Sequence, residues 1–168
     1  RILIRKVQLI ASQHEKALTP IFSYSKDHYM RVFFECEKSK QKTDEILKQH
    51  ERINNYGPLW IGQLWDPKLT AKMLKNTQKT DKELLQFISI IAEESKIQTV
   101  GFFNIHQIVK QHKLKTIPKK EALFKEISKK YKISLTHFNP ISIRSTIPIN
   151  ELIKTIKKLN KTKKNNET

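Results

Sequence analysis

Residues 55–66, NYGPLWIGQLWD, contain both tryptophans of the chain and two of its three glycines. Gly57-Pro58 predicts a turn, because glycine and proline together mark chain reversals. Leu59 and Ile61 fit a short buried strand directly after that turn. So many bulky and conformationally special residues fall in this segment that it constrains the fold more than any other stretch.

The same segment leads into a helix. Asp66 is a typical N-cap, and Pro67 occupies the first helical position, where proline is tolerated best. Trp60 and Trp65 lie between the predicted strand and this helix. We interpret both tryptophans as a joint that packs the sheet against the helices, and only secondarily as a surface for stacking nucleobases.

The residues before this segment predict a helix and a hairpin. Residues 1–18 have apolar side chains at helical spacing and end before Thr19-Pro20. PIFSYS and YMRVFFECE predict two strands with a short turn between them. The second strand alternates strictly, which places Cys36 on its apolar face and predicts a core thiol.

Residues 80–149 predict a winged-helix-like unit. Thr80 and Glu83 have capping-box spacing at the start of a long helix. NIHQIVKQHK and KKEALFKEISKKYK predict two further helices, and ISLTHF and SIRSTIP predict two strands joined at NPI. This order of helices followed by a two-stranded wing is typical of winged helices.

The predicted fold class is therefore α+β, with a small antiparallel sheet and hairpin region joined to a winged-helix-like unit. A last helix is expected to begin at Asn150 and to become a basic tail. The predicted divisions are 1–18 (helix), 19–79 (hairpin and sheet region), 80–149 (winged-helix-like unit) and 150–168 (basic helix and tail).

Charge favours a polyanionic partner. Thirty-three Lys and Arg against 16 Asp and Glu give a formal net charge of +17 and a pI near 9.9. Nucleic acid and an anionic membrane surface both suit this balance, and we favour nucleic acid. An AT-rich genome would also explain the preference for lysine over arginine. No apolar run approaches a membrane span, and a single cysteine indicates a reducing compartment, the cytoplasm.

We do not expect this chain to catalyse a reaction without another domain. With glycines only at positions 57, 62 and 101, no glycine-rich phosphate or dinucleotide loop can be written. The six histidines show no metalloprotease spacing, and one cysteine cannot build a Cys₄ zinc site. The sequence therefore predicts no metal and no cofactor pocket within this chain.

Basic residues at two places predict contacts to nucleic-acid phosphates. Residues 110–132 contain nine lysines and only two glutamates. Several of these lysines precede the third helix of the winged-helix-like unit, where the helix dipole attracts anions. A solvated lysine face or a protein-binding winged helix would give the same pattern. The candidates there and in the predicted wing are Lys113, Lys115, Lys119, Lys120 and Arg144. The hairpin adds Lys26, His28 and Arg31 beside Tyr24 and Tyr29, a mixture typical of surfaces that stack bases.

Three segments in this order, SYSKDHYMRVFFE, YGPLWIGQLWD and THFNPISIRSTIP, resemble the C-terminal half of the archaeal and eukaryotic tRNA (guanine26-N2)-dimethyltransferase family. The resemblance extends over nearly the whole chain, and RILI at its start is similar to the last helix of that family's methyltransferase portion. GPLWIGQLWD is the most specific piece. Many members carry a cysteine-rich insertion before Gly-Pro-Leu-Trp that this chain lacks, so bound zinc is not expected.

The resemblance implies an S-adenosylmethionine-dependent tRNA methyltransferase whose catalytic Asp-Pro-Phe-Gly-type motif lies in another, N-terminal domain. The one Asp-Pro here, Asp66-Pro67, continues as Lys-Leu and predicts a helix start. The chain is then the tRNA-binding half, with S-adenosylmethionine supplied only through a partner or missing domain. Either the gene is split and residues 1–18 dock on a partner chain, or the product is truncated or degenerate.

Two other classes of function stay open at this point. A DNA-binding winged-helix regulator would account for residues 80–145, but it leaves the tryptophan segment and the hairpin unexplained. A protein-interaction scaffold would bind through contacts that persist at high salt.

Overall fold

A computed structural model describes residues 1–53 and 55–164 of the chain, with side chains up to residue 160. These residues form two compact units, one that ends at Ile88 and one that begins at Ser89. Each contains helices and small antiparallel sheets, so the predicted α+β class is confirmed. The boundary between the units falls inside one helix, whereas the sequence-based division lies at residue 80. The last four residues of the predicted basic tail, 165–168, lie outside the described residues.

The first unit contains the first seven elements and the start of an eighth. They are α1 (Ile2–Ser12), β1 (Lys16–Lys26), β2 (Tyr29–Lys38), α2 (Lys40–Leu47), β3 (His50–Ile53), β4 (Tyr56–Trp60), α3 (Pro67–Asn76) and α4 (Lys82–Ser95). β1 pairs with β2 and β3 pairs with β4, both antiparallel. The predicted hairpin is confirmed: Lys26 faces Tyr29 across a two-residue turn, in which Asp27 has a φ of 52°.

Two predictions for the first unit, the length of the first helix and the burial of Cys36, are wrong. The helix predicted over residues 1–18 ends at Ser12, because β1 already begins at Lys16 and buries Ala17 beside Ile4 and Trp60. The apolar residues near 17 fit a strand period as well as a helical one. Cys36 is exposed and is not a core thiol. The core covers the half-buried Val32 and Phe34 on the same face of β2 and stops before it reaches position 36.

A half-buried, neutral histidine lies beside the core of this unit. His50 lies edge-on to the Trp60 ring and its Nε2 is 2.8 Å from Oε1 of Gln8. The amide nitrogen of Gln8 donates to the Leu18 carbonyl, so the oxygen faces His50 and accepts from it. Burial, with a smaller contribution from the charge of Arg5, lowers the pKa of His50. The ring is therefore uncharged near neutral pH.

Residues 55–66 connect several parts of the unit. The indole of Trp65 is buried and donates to the Ser23 carbonyl at 2.6 Å. The Trp60 indole, also buried, donates to the Gln63 carbonyl at 2.8 Å. The Arg1 guanidinium donates to the carbonyl oxygens of Trp60 and Gly62. The segment therefore connects the start of α1 to β1.

Gly62 is required by the Trp60 ring. A Cβ atom at position 62 would lie 2.2 Å from Cζ2 of that indole, closer than any real contact. The indole is 2% exposed and its nitrogen is fixed by a hydrogen bond, so the ring has little room to move. Glycine is therefore needed here for close approach and not for its backbone freedom.

We expect Gly62→Ala to destabilise the chain by about 1–3 kcal/mol, the usual cost of forcing extra volume into a packed core. Both tryptophans belong to the first unit, so urea unfolding followed by tryptophan fluorescence measures this effect. A substitution that leaves the unfolding midpoint unchanged would show that Trp60 moves freely and is not fixed by Gly62.

The second unit begins within α4 and continues through six further elements. They are β5 (Phe103–Asn104), α5 (Ile105–Gln111), α6 (Lys120–Ile127), β6 (Ile133–Thr136), β7 (Asn139–Ser145) and α7 (Ile149–Lys164). The sheet has the order β5-β7-β6 with antiparallel pairs. The helices and two strands follow the predicted order, with β5 added. Whether the unit is winged-helix-like stays a prediction.

Local signals at the helix starts are mostly as predicted. Asp66 caps α3 through the Lys68 amide at 2.8 Å, and Pro67 is its first residue. At α4, however, the Asp81 carboxylate accepts from the Leu84 amide, so the cap lies one residue after the predicted Thr80. The turn between β6 and β7 also comes earlier than predicted, at residues 137–138, because β7 begins at Asn139.

The core of the second unit is made by isoleucine and leucine side chains of α5, α6, β7 and α7. Its buried members include Ile127 at 1% exposure and Leu152 and Ile156 at 0%. Leu114, half-buried in the loop between α5 and α6, packs against the same cluster. The core thus reaches out to the loop that carries the predicted lysines.

Candidate nucleic-acid interface

The loop between α5 and α6 is held at two points between exposed lysines. The Leu114 amide donates to the Val109 carbonyl at 2.9 Å, and its side chain packs on the core. Thr116 donates from Oγ1 to Oδ1 of Asn160 at 2.7 Å, and the Asn160 amide donates back to the Thr116 carbonyl. This reciprocal pair ties the loop to α7 and leaves the flanking lysines in solvent.

The four predicted lysines of this region lie on that loop and at the start of α6. All four are exposed, and within the described residues none of their ammonium groups forms an ion pair. They are Lys113, Lys115, Lys119 and Lys120. We define these four residues as the lysine cluster.

The α6 N-terminus adds to the positive potential of the lysine cluster. Lys119 is the N-cap residue, and its side chain makes no capping hydrogen bond. The first amide groups of a helix have no partner within the helix and carry a partial positive charge. Glu121 in the first turn partly offsets this charge. The arrangement suits a phosphate group, which accepts from amides and ammonium groups together.

Other lysines of the same region are held by a carboxylate. Glu126 bonds to Lys129 and, at 2.6 Å, to Lys158. These hydrogen bonds, from Lys129 first and then Lys158, lower the pKa of Glu126 to about 2. The carboxylate is therefore charged at any physiological pH, and it offsets the two lysines that contact it.

The predicted hairpin residues are exposed on the first unit. Lys26 donates to Oε1 of Glu83 at 2.8 Å, and this hydrogen bond raises the pKa of Lys26. The Arg31 guanidinium lies 5.3 Å from the centre of the Tyr29 ring, within the range of a cation–π contact. His28 lies in the turn with its ring edge-on to Tyr29 at 6.0 Å. His28 and Arg31 are therefore exposed to a polyanion, whereas Lys26 would have to exchange Glu83 for a phosphate.

Arg144 is buried, so the prediction that it contacts phosphate is wrong. It is 3% exposed, and its Nε donates to Oε1 of Glu94 at 2.9 Å. Its Nη1 donates to the carbonyl oxygens of Thr99 and Gly101. A buried guanidinium whose N–H groups already donate to these three residues cannot reach a phosphate without breaking those hydrogen bonds.

Glu94 is the residue that the sequence reasoning missed. It is fully buried in α4, and its Oε2 lies 2.7 Å from Nδ1 of His137 while Oε1 accepts from Arg144. Its position in the sequence indicates its burial: Glu94 lies three residues after Ile91, on the helix face that the spacing of apolar residues predicts to be buried. A charged residue on such a face implies a buried partner.

The described part of the chain does not fit a nucleotide or S-adenosylmethionine pocket of the Rossmann type. All described strand pairs are antiparallel, in sheets of two or three strands, whereas that pocket lies at the ends of parallel strands beside a glycine-rich turn. Across residues 1–53 and 55–164, no three His, Cys, Asp or Glu side chains are grouped so that they could hold a metal ion. None of the described helices has the length and hydropathy to cross a membrane.

Comparison with known proteins identifies the family. The profile described as N2,N2-dimethylguanosine tRNA methyltransferase matches residues 1–55 and 48–157. The chain belongs to this family. The resemblance found in the tryptophan segment and the two hairpin segments is thereby confirmed.

Individual relatives agree with the family profile. The tRNA (guanine(26)-N(2)/guanine(27)-N(2))-dimethyltransferase of Aquifex aeolicus is 29% identical over 95% of this chain and 48% of its own length. The tRNA (guanine(26)-N(2))-dimethyltransferase of Methanocaldococcus jannaschii is 27% identical over 93% of this chain and 47% of its own.

A solved structure also matches. Trm1 from Pyrococcus horikoshii, in complex with S-adenosyl-L-methionine, superimposes with a TM-score of 0.82 and 27% identity over 92% of this chain and 47% of that one. The chain therefore spans about half the length of the relatives it matches.

We expect Arg144→Ala to destabilise the chain by about 3–5 kcal/mol, because it leaves the buried Glu94 carboxylate without its cation. Urea unfolding followed by circular dichroism measures the loss. The double substitution Glu94→Leu with Arg144→Met removes both charges and should lose less than Arg144→Ala alone. If Arg144→Ala keeps the unfolding free energy and instead weakens tRNA binding, the buried role is wrong.

Proposed function

We propose that this chain is the tRNA-binding part of an S-adenosylmethionine-dependent tRNA (guanine26-N2)-dimethyltransferase. The observation that carries this proposal is the lysine cluster: four exposed ammonium groups that form no ion pair among the described residues, on a loop held by Leu114 and Thr116, in a chain of this family. The hairpin residues Lys26, His28 and Arg31 form a second set of proposed phosphate contacts. Methyl transfer itself is assigned to a part of the protein outside residues 1–168.

The physical basis is counterion release. A protein that neutralises phosphates with lysine releases the cations condensed on the nucleic acid, so its affinity falls steeply with salt. Such contacts position the tRNA and do not read its sequence. Specificity for one guanine would then come from the shape of the tRNA and from the catalytic part. Neither the two relatives nor the solved structure is described as a DNA-binding regulator, so that alternative has no support from them.

The lysine cluster should control both affinity and salt dependence. We expect Lys119→Gln to weaken tRNA binding. Substitution of all four lysines should lower the slope of log affinity against log salt by about 1 for each phosphate that the variant no longer neutralises. Fluorescence anisotropy with an unmodified tRNA transcript, over roughly 50–200 mM salt, measures both quantities.

Lys42→Gln is the matched control, because this lysine is already paired with Glu37 on the first unit. It should leave affinity and slope nearly unchanged. Wild-type affinity and slope in the four-lysine variant would refute the assigned surface. Duplex DNA that competes as well as folded tRNA would support the DNA-binding alternative instead.

The proposal also assigns a docking role to α1. Ile2, Leu3 and Ile10 are 68%, 43% and 55% exposed, although large apolar side chains in an amphipathic helix usually face a partner. Leu3 and Ile10 are seven residues apart and so share one face. We infer that this face contacts the methyltransferase part, whether that part is carried on a separate chain or on the same one.

Reconstitution tests this assignment. The chain alone should transfer no methyl groups from labelled S-adenosylmethionine to tRNA, and addition of the methyltransferase part from the same genome should restore transfer. Ile10→Ser should weaken the association of the two parts at least severalfold without changing tRNA affinity. Ile149→Ser, which alters an exposed isoleucine of α7, is the control. Methyl transfer by the chain alone would contradict the proposal.

A further inference from the structure

The first unit contains a groove of which the proposed function uses one lining residue, Lys26. It has a volume of about 640 Å³ and is lined by β1, β2, α3 and the start of α4. This volume lies within the range of small-molecule and cofactor sites, roughly 300–1,000 Å³. The lining is mainly apolar and aromatic, with a few polar groups, which is the usual composition of a ligand site.

The aromatic rings of the groove pack edge to face. The Tyr24 ring meets the Phe87 ring at 5.7 Å and 86°, and the Tyr29 ring at 6.1 Å and 78°. A T-shaped contact covers only one face of one of the two rings, so aromatic surface stays available. Tyr29 and Phe33 keep 38% and 48% of their surface exposed. Nucleobases that are not stacked on other bases bind such surfaces.

The polar lining combines carboxylates and a cation. Glu83 and Lys26 line the groove and form an ion pair at 2.8 Å, and Asp81, directly before α4, also lines it. Lys26 also lies 6.0 Å from the centre of the Phe87 ring. The Arg31 guanidinium, over Tyr29, adds a second cation at the hairpin. Acceptors and donors therefore lie next to the aromatic surface.

This pattern complements one base better than the others. The Watson–Crick edge of guanine offers two adjacent donors, N1–H and N2–H, and the acceptor O6. A carboxylate accepts from two neighbouring donors at once, and an ammonium group has three donors, so it can hold the carboxylate and O6 together. Adenine would place its N1 lone pair against the carboxylate, and this contact is repulsive.

We propose that the groove binds one unpaired guanine base of RNA, stacked on Tyr29 and Phe33, with its Watson–Crick edge on Glu83 and Lys26. Arg31 then attracts the phosphate of the same nucleotide. An apolar segment of a protein is the competing occupant. It would bury the Glu83–Lys26 pair without supplying partners for it, at a cost in free energy. The inference rests on the proposed function only in taking the nucleic acid to be RNA.

Binding to short single-stranded RNA tests the groove separately from folded tRNA. The probes are labelled oligouridylates with one central guanosine, adenosine or inosine, measured by fluorescence anisotropy with the full chain at one fixed salt concentration. We expect the guanosine probe to bind roughly tenfold more tightly than the adenosine probe, as for a bidentate base contact. Inosine, which lacks the N2 amine, should fall between them.

Two variants assign the contacts. Glu83→Gln should abolish the preference for guanosine and leave the affinity for the adenosine probe unchanged. Phe33→Ala should weaken binding of all three probes about equally, roughly tenfold, because it removes a stacking surface. Glu93→Gln is the matched control, because Glu93 is an exposed glutamate of the same helix that also pairs with a lysine. It should keep the wild-type preference.

The outcomes separate the two proposals. Equal binding of the guanosine and adenosine probes, no binding of either, or a preference that survives Glu83→Gln overturns the groove assignment. With salt-dependent tRNA binding intact, this result leaves the proposed function standing. A guanosine preference in a chain that does not bind folded tRNA overturns the proposed function and keeps the groove.

Discussion

A carboxylate that is removed from water needs charged or hydrogen-bonding partners, and in the second unit the buried carboxylate is that of Glu94. Its side chain is fully buried, and its two oxygens are held by Arg144 on β7 and by His137 in the turn between β6 and β7. Arg144 in turn binds the carbonyls of Thr99 and Gly101, in the loop that follows α4. One carboxylate therefore fixes a helix, a loop, a strand and a turn relative to one another. Loss of either charge would leave the other one buried alone, which costs more than an ion pair of this kind contributes.

In the first unit, the buried polar groups that need partners include the indole N–H groups of the two tryptophans. Trp60 and Trp65 are both 2% exposed, and each indole N–H donates to a backbone carbonyl. A buried indole contributes a large apolar area and needs only one acceptor. Gly62 allows the Trp60 ring to lie directly on the backbone. The tryptophan segment is thus a structural joint within the first unit, and its concentration of rare residues follows from that packing.

Local structure was predictable from the sequence at several positions where the cause lies within a few residues. The helix start at Asp66-Pro67 and the hairpin turn at Asp27 depend only on adjacent residues, and both were found. The position of Arg144 depends on Glu94, 50 residues earlier in the chain. In a strand that is read alone, an arginine looks like a surface residue. Helix α2 and strand β3 were missed because their residues are mostly charged or polar, and only Ile46 and Thr43 of α2 are buried. Periodicity also failed at residues 13–18, where a turn with Glu15 at a φ of 54° separates α1 from β1.

A net charge of +17 does not by itself locate a binding surface, because carboxylates cancel part of it locally. Lys42 and Lys154 are each paired with a glutamate, and Glu126 holds Lys129 and Lys158 together. Exposed ion pairs of this kind add little stability, but they remove cations from the surface that a polyanion meets. Among the described residues, the lysine cluster has no such neighbours, and the core fixes its loop through Leu114. Lysines on an anchored loop lose less backbone freedom on binding than lysines on an unanchored loop, so more of the electrostatic attraction is kept as affinity. The composition therefore favours a polyanionic partner, and the lack of carboxylates paired with the lysine cluster, among the described residues, is the reason that we propose this cluster as the binding surface.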